Sequence, residues 1–349
     1  TTIDDPSAHF QTKIYTGNGG SASITNDGNS NLQPDWIWIK RRTNVGSNHQ
    51  LQDTSRGLSK AMESNSTSAE YDSVTLTATS DGFSMNSSAG SHNQSSNNYV
   101  AWQWKANGGS TTSVSASGTV LAGTYQANTT AGFSIMTYTG EDDTVNTVTH
   151  GLGAVPAWII VKGRGSGRHW RIYHHRNTSA PETDYLRLNE TGATTDDVNY
   201  WYDTAPTSSV FSISTANDVN ANTETYVAYA FAEVQGYSKF GSYTGNNSTD
   251  GPFVYTGFTP AWVMIKRTDG GTNNWPIWDY ERGVYNGARA ELYANLNNTE
   301  ATDSAIDILS NGFKLRNAST EWNNGTNYIY MAFAKHPFVS SKGVPTTAV

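Results

Sequence analysis

The sequence contains no cysteine among its 349 residues. A disulfide framework, a thiolate metal site and a cysteine nucleophile are therefore excluded. The absence also argues against a secreted eukaryotic domain, because such domains usually carry disulfides. No run of about 18 apolar residues is present, and the first ten residues, TTIDDPSAHF, are polar and acidic. We therefore expect neither a signal peptide nor membrane insertion.

Charged residues are also scarce, at 15% of the chain, and the net charge is −8. A nucleic-acid partner is not expected, because proteins that bind nucleic acid usually present a basic field. Aromatic residues and glycine are abundant, with 11 Trp, 19 Tyr and 32 Gly. No long stretch repeats apolar residues at helical spacing. This composition, with its many turn-forming residues, predicts an all-β protein.

One seven-residue pattern occurs three times: PDWIWIK at 34–40, PAWIIVK at 156–162 and PAWVMIK at 260–266. Three further markers accompany each copy in the same order. They are YTG at Tyr15, Tyr138 and Tyr243, a phenylalanine at Phe83, Phe211 and Phe313, and a closing aromatic strand that begins at Tyr99, Tyr226 and Tyr328. Four markers in one order at nearly constant offsets indicate a triplicated module.

The spacing of short apolar runs between turn signals predicts three tandem antiparallel β-sandwich modules of jelly-roll or lectin-like type. We place these repeats at 1–105, 124–235 and 236–338, with a Gly/Ser-rich linker at 106–123 and a tail at 339–349. The heptad strand is apolar on both faces and is predicted to be covered on both sides. We expect its tryptophan to anchor its own sandwich and its lysine to return to solvent.

A second signal is repeated only in part. DTSRG at 53–57 matches DYERG at 279–283, and each Asp lies 17 residues after its heptad Trp (53 − 36 and 279 − 262). The same offset in the middle repeat falls on His175. An Asp and an Arg three apart, followed by Gly, are typical of an ion-paired turn, here Asp53 with Arg56 and Asp279 with Arg282. A repeated binding site is the alternative.

Catalytic patterns are weak, and we predict no enzyme activity, catalytic residue, metal or cofactor. GRGSGR at 163–168 lacks the ending of a phosphate-binding loop. The acidic pairs at 142–143 and 196–197 are adjacent in sequence and not placed to face each other across a sugar. A metal site built from His169, His175 and Asp203 is conceivable, but ordinary polar surface is the favoured interpretation.

Several aromatic residues lie outside the core pattern, among turn-forming residues. These candidate binding residues are Trp201, Tyr202, Trp275, Trp278 and Trp322. Exposed rings of this kind would suit protein interfaces or the faces of sugars. The alternative, which we favour, is that the rings plug the open ends of the sandwiches.

The segments YTGNGG, QPDWIWIKRR, QDTSRG, SDGFSMN, YVAWQWKANGG and YIYMAFAKHPFVSS together resemble a module in virion proteins of marine tailed bacteriophages. The resemblance covers nearly the whole chain. It implies a non-enzymatic structural protein of a fibre, knob or capsid decoration, which is made in the bacterial cytoplasm and carried in the virion. Expected partners are other virion proteins and further copies of the chain, as a trimer in a fibre. A carbohydrate-binding adhesin that recognises a host surface glycan is the alternative.

Overall fold

The computed structural model describes residues 1–283, 286 and 289–345. Strands account for 42% of the chain and helices for 4%, which confirms the all-β class. In the described part of the chain, no helix is both long enough and apolar enough to cross a membrane. The short helices are α1 (Val198–Trp201), α2 (Asn217–Asn220) and two 3-10 turns, Pro6–Ala8 and Pro181–Thr183.

The strands follow the three repeats found in the sequence. Repeat 1 contains β1 (Phe10–Thr16), β2 (Ser21–Ile24), β3 (Trp36–Arg41), β4 (Gln50–Asp53), β5 (Lys60–Ala61), β6 (Tyr71–Asp72), β7 (Leu76–Ala78), β8 (Phe83–Asn86) and β9 (Asn98–Trp104). After β10 (Thr112–Val114), repeat 2 contains β11 (Gly123–Asn128), β12 (Phe133–Thr139), β13 (Asn146–Thr149), β14 (Trp158–Gly163), β15 (Arg171–His174), β16 (Asp184–Arg187), β17 (Thr195–Asp196), β18 (Val210–Ile213) and β19 (Thr225–Phe231). Repeat 3 contains β20 (Ser238–Thr244), β21 (Phe253–Tyr255), β22 (Phe258–Arg267), β23 (Pro276–Asp279), β24 (Arg289–Tyr293), β25 (Ala301–Asp303), β26 (Ile306–Leu309), β27 (Gly312–Leu315) and β28 (Asn327–Pro337).

Each repeat contributes one larger and one smaller antiparallel sheet, and repeat 1 also contains the two-stranded sheet β5-β6. The larger sheets have the strand orders β1-β9-β3-β4, β10-β11-β12-β19-β14-β15-β16-β17 and β20-β28-β22-β23-β24-β25. The smaller sheets are β2-β8-β7, β13-β18 and β21-β27-β26. The heptad strands β3, β14 and β22 lie inside the larger sheets, next to the closing strands β9, β19 and β28.

The strand register is the same around each heptad tryptophan. The facing pairs are Trp36 with Trp104, Trp158 with Phe231, and Trp262 with Phe333. The tyrosine of each YTG marker stacks on the closing tyrosine with ring centroids 5.1 Å apart, in Tyr15–Tyr99, Tyr138–Tyr226 and Tyr243–Tyr328. The sequence markers therefore occupy equivalent places in the three repeats.

The heptad strand is buried on both faces, as its apolar pattern predicts. In repeat 1, Trp36 and Trp38 point to one face, whereas Ile37 and Ile39 point to the other because side chains alternate along a strand. The two isoleucines pack against Phe83 in a cluster confined to repeat 1. The two tryptophans join a different cluster, to which all three repeats contribute.

We call this second cluster the central cluster. Its aromatic members are Phe10, Trp36, Trp38, Trp102, Trp104, Phe133, Trp158, Trp170, Tyr229, Phe231, Tyr237, Phe240, Trp262, Trp275 and Phe333. Trp104, Phe231 and Phe333, one from each repeat, approach one another pairwise, with ring centroids 5.5–6.5 Å apart. The expectation that each heptad tryptophan packs within its own sandwich is therefore wrong. A large aromatic side chain buries the most surface where three sheets meet.

The segment 106–123 is held against both neighbouring repeats. Its strand β10 adds to the edge of the second large sheet. The backbone N–H groups of Ala106 and Gly108 donate to Asp35 Oδ2 at 2.7 and 2.9 Å. Those of Asn107 and Gly109 donate to the amide oxygen of Gln126, in repeat 2. The segment is thus an ordered edge and not a free linker, whereas the domain boundaries drawn from the sequence stay a prediction.

Candidate functional site

The three heptad lysines are buried at the boundaries between repeats, which we call the seams. Lys40, Lys162 and Lys266 are 0% exposed, so the prediction that they return to solvent is wrong. Each Nζ donates to one backbone carbonyl in its own repeat and one in a neighbouring repeat. The carbonyls are those of Ser47 (2.7 Å) and Asn297 (3.0 Å) for Lys40, Arg168 (2.6 Å) and Thr67 (2.9 Å) for Lys162, and Asn273 (2.5 Å) and Thr191 (2.8 Å) for Lys266.

These contacts close a ring. Repeat 1 reaches repeat 3, repeat 3 reaches repeat 2, and repeat 2 reaches repeat 1. Burial lowers the pKa of Lys40 and Lys266 to about 7 and that of Lys162 to about 8. The carbonyls offset part of the cost of removing each ammonium group from water. The sequence shows the lysines but not their burial, because the covering carbonyls come from another repeat.

A second set of seam contacts comes from the residue eight or nine positions after each lysine. The indole Nε1 of Trp170 donates to Glu63 O at 2.9 Å, and that of Trp275 donates to Arg187 O at 2.9 Å. In repeat 1 the place is taken by His49, whose Nε2 lies 3.0 Å from Tyr293 O. Trp275, predicted as an exposed platform, is therefore a buried part of the seam between repeats 2 and 3.

The partly repeated Asp-x-x-Arg turn forms the charged centre of the seam between repeats 1 and 2. Asp53 accepts from the backbone N–H of Arg56 at 2.9 Å and from its Nε at 2.5 Å. The same carboxylate accepts from the hydroxyl of Tyr229, in repeat 2, at 2.7 Å. Arg56 also donates to Glu70 at 2.9 Å, and Glu70 is held by both nitrogens of Arg164 at 2.9–3.0 Å. Burial alone would raise the pKa of Glu70, but hydrogen bonds from the two arginines lower it below its ordinary value.

The seam between repeats 3 and 1 repeats this network almost atom for atom. Asp279 accepts from Arg282 Nε at 2.5 Å and from the indole N–H of Trp102, in repeat 1, at 2.9 Å. Arg282 donates to Glu300, and Glu300 accepts from Arg42 at 2.7 and 2.8 Å. Both predicted Asp–Arg turns are therefore present, and each is fully buried between two repeats.

The third seam, between repeats 2 and 3, keeps its lysine, Lys266, but has neutral groups in place of the Asp–Arg–Glu–Arg network. The strand register pairs Trp158 with His174, so His174 and not His175 takes the place of Asp53. Its Nε2 lies 3.2 Å from Tyr330 O, and its Nδ1 accepts from the backbone of Arg176 at 3.1 Å. Burial lowers the pKa of His174 to about 3.

The other positions of this seam also differ from their equivalents in the two charged seams. The backbone N–H of Thr194 donates to the carbonyl of Thr268 at 3.0 Å. The equivalent backbone hydrogen bonds in the two charged seams run from Glu70 to Arg164 and from Glu300 to Arg42. Thr194 and Thr268 therefore stand where those seams have a glutamate and an arginine. Met331, which has no hydrogen-bond donor on its side chain, occupies the strand position of Tyr229 and Trp102. A carboxylate facing Met331 would have no side-chain donor there, so the absence of an Asp-Arg turn and the presence of Met331 are mutually compatible.

The other predicted binding tryptophans are also buried. Trp201 and Trp322 are 2% exposed and Trp278 is 0% exposed, so they do not form open binding platforms, and their burial agrees with the favoured interpretation of rings that plug the sandwiches. Trp201 Nε1 donates to Asp184 O at 3.0 Å, and the ring of Trp322 lies edge-on to that of Trp278 at 5.3 Å. These rings close the space between the two sheets of their repeats. Tyr202 remains exposed, at 38%.

The histidines of repeat 2 face different partners. His169 Nδ1 lies 3.2 Å from Glu190 Oε1, His175 Nε2 lies 2.5 Å from Phe240 O, and His174 is in the seam. Among the described residues, no group of three His, Asp or Glu side chains is placed to hold a metal ion.

One repeated residue was missed from the sequence. Asn93, Asn220 and Asn323 are fully buried, and each lies five or six residues before the closing tyrosine of its repeat. Each side-chain oxygen accepts from the backbone after a YTG marker, at Asn18 (3.0 Å), Glu141 (3.1 Å) and Asn246 (2.8 Å). The nearly constant offset of the asparagine from the closing tyrosine was the signal available in the sequence.

Comparison with known proteins places this architecture in one family. Residues 5–337 match the family model described as Domain of unknown function (DUF7483). The chain belongs to this family. The matched region spans all three repeats and the segment between the first two, as does the central cluster. Neither the curated proteins nor the solved structures gave a match.

Proposed function

We propose that the chain is three β-sandwich modules closed around one core, and that it serves as a non-enzymatic structural component of a bacteriophage particle. The observation that carries the proposal is the ring of seams. Three repeats meet through equivalent lysine contacts and a central aromatic cluster, which is the arrangement of a cyclic trimer. The proposed location in a bacteriophage particle rests on the resemblance of the sequence to virion proteins of marine tailed bacteriophages.

Placing three copies in one chain has a consequence that three separate subunits would not have. Identical subunits must use the same interface three times. Here two seams hold a charged network and the third holds His174, Thr194 and Met331. A single chain can therefore present a nearly threefold body to a threefold position on a particle, with one side that differs.

The partners that follow from this proposal are other virion proteins. Contacts repeated around an axis gain strength by multivalency even when each is weak. Assembly of several copies, as a trimer in a fibre, remains part of the proposal. The protein would be made in the cytoplasm of the host bacterium and carried in the particle.

The direct test is to purify particles of the phage that encodes this protein and to locate it in an electron-microscopy map. We expect density for the chain in a fibre, a knob or a capsid decoration, with its central cluster on or near a symmetry axis. Absence of the protein from purified particles, by mass spectrometry, would overturn the proposal. The mass of the isolated protein would then separate a fibre trimer from a monomeric decoration.

A further inference from the structure

The three repeats allow an internal comparison of their smaller sheets. One buried pair is equivalent in all of them: Ile24 faces Phe83, Val148 faces Phe211, and Val254 faces Phe313. The residues on either side of the first member of each pair point outward, because side chains alternate along a strand. These outward residues are Ser23 and Thr25 in repeat 1, Thr147 and Thr149 in repeat 2, and Phe253 and Tyr255 in repeat 3.

Repeat 3 therefore carries two aromatic rings where the other repeats carry short hydroxyl side chains. Phe253 is 45% exposed and Tyr255 is 58% exposed. Repeats 1 and 2 form the same buried pair with Ser and Thr beside it, so the fold does not need rings at these positions. An aromatic ring that the fold does not need and that water still reaches is a candidate for ligand contact.

The strand opposite Tyr255 carries a glycine, and the ring of Phe253 lies against it, with Cε2 3.1 Å from the place of a Cβ atom on Gly312. Gly312 lies opposite Tyr255 in the register. A Cβ atom at Gly312 would lie 2.1 Å from the carbonyl oxygen of Val254, so no side chain can occupy this place. The face of the small sheet is thus two rings on one strand with no side chain standing across from Tyr255.

Tyr255 also borders a groove of about 430 Å³ between repeat 3 and the connection from repeat 2. This volume lies within the range of small-molecule sites, about 300–1,000 Å³. Within the described residues, the Tyr255 hydroxyl and the Gln235 amide make no hydrogen bond, so both can bind a ligand. Glu233 and Lys239 also line the groove and pair with each other at 3.4 Å, so these two side-chain charges offset each other. Thr1 and Val339 contribute to the same lining.

We propose that Phe253, Tyr255 and the adjoining groove bind a neutral glycan. A pyranose ring presents C–H groups on a flat face, which suits an aromatic surface, and hydroxyls at its edge, which suit Gln235 and the Tyr255 hydroxyl. A protein partner fits less well, because a stable interface buries about 800 Å² on each side and this aromatic surface consists of two rings. The site does not depend on the proposed place in a virion, and its test is separate.

The test is a screen of the full chain against an array of neutral oligosaccharides, followed by titration calorimetry with any that bind. The variant Phe253→Ser/Tyr255→Thr installs the residues of repeat 1 and should fold, because repeat 1 forms the same sheet with them. We expect it to lose at least tenfold in affinity. Val155→Thr, which removes exposed apolar surface in repeat 2 at a position with no assigned role, should bind as the parent chain does. Circular dichroism and the melting temperature would show that both variants are folded.

Three results would overturn the inference. The first is that no neutral oligosaccharide binds the parent chain. The second is that the double variant binds as well as the parent chain, which would place the glycan elsewhere. The third is that the two rings bind a protein of the particle and no sugar. The inference is supported if a neutral glycan binds the parent chain, binds Phe253→Ser/Tyr255→Thr at least tenfold more weakly, and binds Val155→Thr as well as the parent chain.

Discussion

The hydroxyl of Tyr229 donates to the carboxylate of Asp53 at 2.7 Å, across 176 residues of chain. Neither residue belongs to the repeat of the other, and both are fully buried at the junction of repeats 1 and 2. The Asp-x-x-Arg turn is therefore a joint between repeats. Its second copy, at Asp279, receives the indole N–H of Trp102 in the same way.

Removing the hydroxyl tests the joint with a small change. Tyr229→Phe keeps the ring in the central cluster but takes a donor from a buried carboxylate. We expect a loss of roughly 1.5–3 kcal/mol in the free energy of unfolding, the usual value for hydrogen bonds to charged groups. Urea unfolding measures it, and Tyr202→Phe, on an exposed ring, is the matched control with no expected change. Equal stability of the two variants would mean that the Tyr229–Asp53 contact does not hold the repeats together.

Exchanging the charged residues of one seam for the neutral residues of another tests whether the charged network is needed for stability. Asp279→Ala removes the closer of the two carboxylates that Arg282 contacts, leaving Glu300 at 3.2 Å, and removes the acceptor of the Trp102 indole N–H. It should cost about 3–5 kcal/mol. Installing the neutral set at this seam, with Asp279→His, Arg282→Asn, Glu300→Thr, Arg42→Thr and Trp102→Met, removes both signs of charge together. Thermal unfolding should show this fivefold variant to be more stable than Asp279→Ala, despite its four additional changes. The reverse order would show that the two kinds of seam are not interchangeable.

The seam lysines predict a rise in stability at alkaline pH. Their folded pKa values, about 7 for Lys40 and Lys266 and about 8 for Lys162, lie below the unfolded value of about 10.4. Between these limits the unfolded chain binds more protons, so the free energy of unfolding increases with pH from about 7 to about 10. Below pH 7 the cost of burying the charges is present in full. Urea unfolding at pH 7 and pH 9 measures the slope.

The control for this pH effect is a variant with methionine at all three lysine positions. Its stability should change less between pH 7 and pH 9 than that of the parent chain, because methionine does not titrate. The lysine account is wrong if the slope is the same in both.

On the acid side, protonation of His174 should weaken the third seam. Burial lowers its folded pKa to about 3, below the unfolded value of about 6.5. Its contribution to stability is complete above pH 6.5 and is lost as the pH falls toward 3, because protonation removes the acceptor that Nδ1 offers to Arg176. An NMR titration of the His174 ring should show no protonation down to about pH 4. A ring that titrates near pH 6.5 would show that this seam is open to water.

The sequence contains the repeated elements but not the way the repeats meet. Alternation in WIWI, WIIV and WVMI predicts strands buried on both faces, and the structure confirms this. The pattern cannot tell whether the second face meets a neighbouring sheet of the same repeat or a different repeat. The sequence therefore predicts that Trp36 packs within its own sandwich. In the structure the centroid of its ring lies 4.3 Å from that of Tyr229, in repeat 2.

The same limit explains the lysines and the outer tryptophans. Lys40 ends an apolar run, as a residue that returns to solvent does, and the carbonyl of Asn297 that covers it is 257 positions away. Trp275 stands among turn-forming residues, which usually lie at the surface, but its turn is covered by repeat 2. Composition around a residue reports its local structure, whereas burial between repeats depends on long-range packing.

The account rests on one core shared by three repeats, and hydrogen exchange in a Trp36→Ala variant tests it most directly. The substitution should cost about 3–5 kcal/mol. If the core is shared, the amides of β14, β19, β22 and β28 should exchange faster together with those of β3 and β9. Faster exchange confined to residues 1–105, with β14 and β22 as protected as in the parent chain, would show that the repeats fold independently and would contradict the account.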